Sequence, residues 1–177
     1  MAGSHIHAHS KNSAIRGKFN TSTELELETS NAPINVHANL ANGDDDEPTR
    51  LVLRTSNGYA LSLPLLVISL TASHVSSCRH IDSEVTLQST AASSTGGTFD
   101  VSARTSNSPL SLTVVDAPVE HALALNAHTS NSPARVTLHP TYEGAFDVRS
   151  SRWFRSTVEW DAEAADPAGR EIGRAHV

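Results

Sequence analysis

The sequence predicts an all-β repeat fold, a β-solenoid with units of roughly 20–26 residues. A β-sandwich is the alternative. Three observations carry the prediction. The tripeptide Thr-Ser-Asn occurs four times, with asparagines at Asn31, Asn57, Asn107 and Asn131, at spacings of 26, 50 and 24 residues. The middle interval reads as two units. Around each copy the apolar residues alternate with period two, as on a strand with one buried face. No long stretch shows a 3.6-residue period, and β-branched and hydroxylated residues dominate. Shared corner chemistry favours the solenoid, in which inward residues stack and the asparagines form a ladder of amides. Sandwich turns join different strands and usually differ from one another.

The elements follow in chain order. His5, His7 and His9 alternate with Ile6 and Ala8, which predicts a strand with its histidines outward. Ala8-His-Ser-Lys-Asn-Ser-Ala-Ile-Arg16 aligns with Ala127-His-Thr-Ser-Asn-Ser-Pro-Ala-Arg135, so Asn12 is a fifth corner and the chain starts within a repeat. Leu25, Leu27 and Thr29 share one face, and Glu24, Glu26 and Glu28 the other. Ser30-Asn31-Ala32-Pro33 breaks the strand, because asparagine bonds its local backbone and proline fixes φ. Ile34, Val36 and Ala38 resume the alternation. The same strand–corner–strand reading covers Leu51 and Leu53 before Ala60, Leu61 and Leu63. It returns with Val101 and Ala103 before Leu110, Leu112 and Val114, and with Leu123, Leu125 and Ala127 before Ala134, Val136 and Leu138.

Weaker segments fill the remainder. Val85 to Thr90 reads as a degenerate strand and corner, and Phe146 to Ser151 as another. Val158 to Trp160 reads as a last strand. Thr71 to Asp82 is an excursion from the repeat, and Thr90 to Gly97 a surface turn. Ile172-Gly-Arg-Ala-His-Val177 is what ATC-GGA-AGA-GCA-CAC-GTC encodes, one frame of a widely used sequencing adapter. The expected organisation is therefore one β-repeat domain over 1–170, truncated at its ends, with 171–177 an adapter-derived tail outside the fold.

Composition narrows the function classes. A formal net charge of -6 and the lack of a basic run disfavour nucleic acid and a polybasic membrane footprint. The acidic stretch Asp44 to Glu47 reads as a solvated loop rather than a hard-cation site, which needs six or more oxygens from several segments. A single cysteine, Cys78, excludes an internal disulfide and leans toward a reducing compartment. The N-terminus lacks a signal-peptide h-region, and Leu61 to Leu70 is too short and too interrupted to span a bilayer. The compartment remains open.

No catalytic constellation and no cofactor motif stands out. Cys78 beside Arg79 and His80 could lower a thiol pKa, but a small residue in an irregular loop is the preferred reading. The His-x-His-x-His string could share a Zn²⁺, but an outward face of an exposed terminal strand is preferred. Asp100 and Asp147 each follow a phenylalanine. They are the candidate carboxylate pair of a carbohydrate-active β-helix, with solvated outer positions as the preferred alternative. Tyr142, Glu143, Trp153 and Trp160 are the candidate ligand surface for a glycan or a protein, since aromatics are otherwise scarce. A tight turn at Glu143-Gly144 and a capping core of tryptophans compete with that reading.

The phrases Thr-Ser-Asn-Ala-Pro-Ile and Thr-Ser-Asn-Ser-Pro-Leu, with His139-Pro-Thr-Tyr-Glu-Gly-Ala-Phe146, resemble a basidiomycete-type fungal family. That family is similar to bacterial adhesin-type β-repeat domains, whose corners read Ser-Gly-Asp-Ile. The resemblance covers Ile15 to about Asp166. It implies a repetitive all-β domain with a surface or adhesive role, and no catalytic residues. The expectation is a non-enzymatic structural or adhesion-like binding module. A carbohydrate-active β-helix enzyme and an intracellular self-associating scaffold are the alternatives.

Overall fold

The computed structural model describes residues 2–43, 47–56, 80–149 and 156–159. Among these residues nine strands follow one another: β1 (Ala2–Ser10), β2 (Ile15–Thr29), β3 (Ile34–Asn42), β4 (Thr49–Thr55), β5 (Ile81–Ser89), β6 (Thr98–Thr105), β7 (Leu110–Asp116), β8 (Ala122–Thr129) and β9 (Ala134–Thr137). No helix occurs among the described residues. Every strand pairing is parallel, in one nine-stranded sheet of order β8-β6-β4-β2-β3-β5-β7-β9, with β1 also on β2. The hairpin pairs of the sandwich alternative do not occur among these strands. The Asn corner carries the chain across to the other half of the sheet instead of back alongside itself.

The 15-residue β2 joins the two halves. Residues 15–21 pair with β3, and residues 24–29 pair with β1 and β4. Strands that precede a corner stack in one half, and strands that follow a corner stack in the other. Both halves turn their apolar face into one core. In register, Leu25 sits between Ile6 and Leu51, and Val101 lies beyond Leu51. Across the core, Ile34 sits between Ile15 and Ile81, followed by Leu110. All eight are buried. Each contributes roughly 1.5–3 kcal/mol of burial, most of it offset by backbone ordering.

The corner explains its own sequence. Thr29, Thr55 and Thr105 point inward and are buried. Thr105 Oγ1 donates to the Ser108 carbonyl, Thr129 Oγ1 to the Ser132 carbonyl, and Thr55 Oγ1 to the Ala32 carbonyl at 3.4 Å. At three of these corners the threonine hydroxyl thus satisfies a backbone carbonyl, whereas the buried Thr29 Oγ1 makes no such bond. Proline has no N–H to satisfy, and its carbonyl serves the neighbouring strand: Ile15 N–H donates to Pro33 O, Ile81 N–H to Pro109 O, and Leu110 N–H to Pro133 O, at 3.1–3.2 Å.

Three expectations need correction. The 50-residue interval is a single step of pairing, because β4 pairs directly with β6, Leu51 opposite Val101. Val85 to Ser89 is therefore the end of β5, with Thr90 in the turn that follows, and not a further unit. The extra residues enter between Thr55 and Ile81, whereas only 106–109 separate β6 from β7. Ile81 and Asp82, assigned to the excursion, open β5. Phe146-Asp147-Val148 forms no strand, and Phe146 and Val148 are exposed. Residues 156–159 likewise carry no strand, and Val158 is exposed. No strand among the described residues pairs with these segments, so they lack the in-register neighbours that bury Phe99 and Val101. Thr90 to Gly97 is a turn, with positive φ at Ser94, Gly96 and Gly97.

Candidate functional site

Three surface features arise from this stacking. The first is the corner edge. Asn31 Nδ2 donates to Asn12 Oδ1 at 2.8 Å, and Asn131 Nδ2 donates to Asn107 Oδ1 at 2.7 Å. The amides of adjacent corners bond in one direction, nitrogen to the oxygen of the preceding corner. Asn57 lies outside the described residues. Asn31→Ala is expected to cost about 1 kcal/mol, the net worth of one such bond. Chemical denaturation of the single and double variants with Asn12→Ala should show the two changes to be less than additive.

The second feature is the outward face of the strands that precede the corners. Here β1 lays three histidines opposite three glutamates of β2: His5 faces Glu24, His7 faces Glu26 and His9 faces Glu28. The Nδ1–Oε2 distances are 3.8, 3.7 and 3.7 Å. The rows continue into arginines. Arg50 pairs with Asp100 at 3.4 Å, and Arg54 reaches back to Glu26 at 3.6 Å. Arg104 lies between Arg54 and His128 in register. These are exposed or half-exposed groups in high dielectric, each pair worth about 0–1 kcal/mol. Their contribution is an ordered, flat pattern of charge at strand spacing. On the opposite face His37 Nδ1 meets Glu84 Oε2 at 2.7 Å, and Asn39 Nδ2 donates to Gln88 Oε1 at 3.0 Å.

The third feature is an open groove of about 440 Å³ along the corner edge, with Ile81, Pro109, Leu110 and Pro133 as its apolar floor. His80, Asp82, Ser111 and Arg135 line it with polar groups.

The sequence-based candidates for a ligand surface fare unevenly. Tyr142 Oη donates to the Ala145 carbonyl at 2.9 Å, and a Cβ on Gly144 would come within 2.9 Å of that hydroxyl. The hydrogen-bonded turn lies just before, at Pro140 and Thr141, where Tyr142 N–H donates to His139 O at 2.9 Å; Gly144 is a bend, and Glu143 is exposed. Trp153, Trp160, Cys78, the 44–46 acidic loop and the 171–177 tail lie outside the described residues. Asp100 and Asp147 do not share a strand face. Asp100 stands between Arg50 and Ala124 in register, while Asp147 sits on irregular chain and binds Arg149 at 2.7 Å. The cleft expected of a glycosidase pair is therefore not built from these two.

Among the described residues one titrating group is clearly perturbed. Burial holds the His121 imidazole below its ordinary range; a contact of its Nδ1 with the Pro118 carbonyl at 2.7 Å opposes this, and His139 adds to the lowering. As placed, no group of three or more histidine, cysteine, aspartate or glutamate side chains among the described residues could hold a metal ion. No helix among them is long and apolar enough to cross a membrane.

Sequence inspection missed the glutamates opposite the histidines and the inward role of the corner threonines. A signal for the first was present: His5 to Glu24 is the same 19-residue offset as Asn12 to Asn31. Comparison with protein-family models, curated proteins and solved structures returns no match.

Proposed function

We propose that this chain is a β-solenoid module, with rungs of roughly 20–26 residues, acting as a non-enzymatic structural or adhesion-like binding scaffold of the fungal repeat type it resembles. One observation carries the reading. The parallel register repeats along the chain with the corners in step, so that outward side chains form straight rows at fixed spacing. β4 pairs directly with β6, so the rows run on across the long interval. Ordered rows of exchangeable charge suit recognition of an extended, repetitive ligand such as a cell-wall polysaccharide or a neighbouring protein surface. The corner groove offers a second contact for the same ligand class.

Retention of the purified chain on immobilised cell-wall polysaccharides tests this. Saturable binding, weakened severalfold by Arg54→Gln with Arg104→Gln while circular dichroism shows the fold kept, is the expected result. A second reading, self-association through strand edges, draws on Val136, which is exposed although its in-register neighbour Leu112 is buried. Absence of retention on every polysaccharide, with a sedimentation mass that grows with concentration, sinks the adhesive reading in favour of the scaffold.

A further inference from the structure

We propose that the His5–His7–His9 comb of β1, backed by the glutamates of β2, binds one borderline divalent cation such as Zn²⁺, Ni²⁺ or Cu²⁺. Two adjacent imidazoles and the Glu26 carboxylate are the ligands. The proposal is independent of the binding-scaffold reading and rests on strand register. The three histidines share one face of a strand, and each has a carboxylate directly across the ladder.

The separations leave room for a shared ion once the side chains turn. At 3.7–3.8 Å the imidazole nitrogens and glutamate oxygens stand beyond hydrogen-bond reach. Two ligands on one tetrahedral zinc, at Zn–N and Zn–O lengths of ~2.0–2.2 Å, lie ~3.4 Å apart, a few tenths closer than these pairs already are. The remaining requirement is the second imidazole. Histidines two residues apart on one strand face are separated by about 6.6–6.8 Å at their Cα atoms. Two rings that lean toward each other close that gap. The rings are more than half exposed, so no packing opposes the turn.

His37 supplies the contrast. It lies 2.7 Å from Glu84, a hydrogen-bonded pair, and its same-face neighbours Asn35 and Asn39 are not imidazoles. The donor set also selects the metal. Imidazole with one carboxylate suits zinc, nickel and copper, with copper tightest, and does not suit magnesium or calcium. Because His7 belongs to both possible histidine pairs, the comb holds one ion and not two. That ion would tie the edge strand β1 to β2, and its binding would raise the stability of the pair.

Calorimetric titration of the full chain with ZnCl₂ and NiCl₂ at neutral pH, with MgCl₂ as the control, tests the site. One site per chain for zinc and nickel, and none for magnesium, is expected. His7→Ala should weaken binding by roughly tenfold or more, and Glu26→Gln by less, while His37→Ala leaves it unchanged. Copper-loaded protein should show electron paramagnetic resonance coupling to two imidazole nitrogens. A wild-type chain that fails to bind up to millimolar zinc overturns the proposal. So does a folded His7→Ala variant, judged by circular dichroism, that binds as the wild type does.

Discussion

Leu27→Asp leaves no folded domain. Far-ultraviolet circular dichroism of the variant should show neither the β signal nor a cooperative melt. Leu27 is fully buried, with Ala8 beside it on β1 and Leu53 on β4. Losing the leucine side chain costs about 2–5 kcal/mol. A buried carboxylate without a partner adds several kcal/mol more, whether as a desolvated charge or as a raised pKa. Together these rival the whole stability of a small domain, about 5–15 kcal/mol. The matched control is its chain neighbour. Glu26 points outward, so Glu26→Lys keeps the core. Alternation alone predicts near silence for that change. The contacts with His7 at 3.7 Å and Arg54 at 3.6 Å make it a small loss of up to about 1 kcal/mol, because the lysine then faces two basic groups. Equal melting shifts for the two variants would refute the assignment of faces.

The faces of β2 to β7 were legible because alternation is a local property, whereas Ala134 and Val136 of β9, expected inward, are exposed. Leu25 and Leu27 against Glu24, Glu26 and Glu28 need no knowledge of the neighbours. The corners were legible because Asn and Pro act on their own backbone. What crosses between strands was less so. The pairing of β4 with β6 spans 50 residues, and a residue count cannot say whether the intervening chain lies within the stack or outside it. Phe146-Asp147-Val148 repeats the letters of Phe99-Asp100-Val101, yet Phe99 is buried and Phe146 is 45% exposed. The difference lies in what stands alongside. Phe99 has Thr49 and Leu123 in register on its two sides, whereas Phe146 lies on no strand. The histidine comb shows the same limit. Its period was visible, but its chemistry depends on glutamates that only register brings opposite.

Phe99→Ala should lower the urea midpoint by the equivalent of about 3–5 kcal/mol with the denaturant slope unchanged. Phe99 is the largest fully buried side chain of the described residues. The turn before β6 is shaped around its ring. A Cβ on Gly97 would come within 3.0 Å of the ring, and Gly97 takes φ of 100°, a conformation an L-residue rarely adopts. The ring also neighbours a polar junction. Asn42 accepts from the Thr98 N–H at 2.9 Å and donates to the Glu47 carbonyl and to Thr49 Oγ1. Thr49 Oγ1 in turn donates to the Ala41 carbonyl at 2.8 Å. Truncation leaves a cavity beside these bonds, and a glycine turn shaped to a ring that is gone cannot collapse into it without breaking them. Phe146→Ala provides the comparison, since an exposed side chain outside the stack should cost no more than about 0.5 kcal/mol. A large loss for Phe146→Ala would mean that the segment after β9 packs into the core, and that the phenylalanine-aspartate phrase marks a strand there after all.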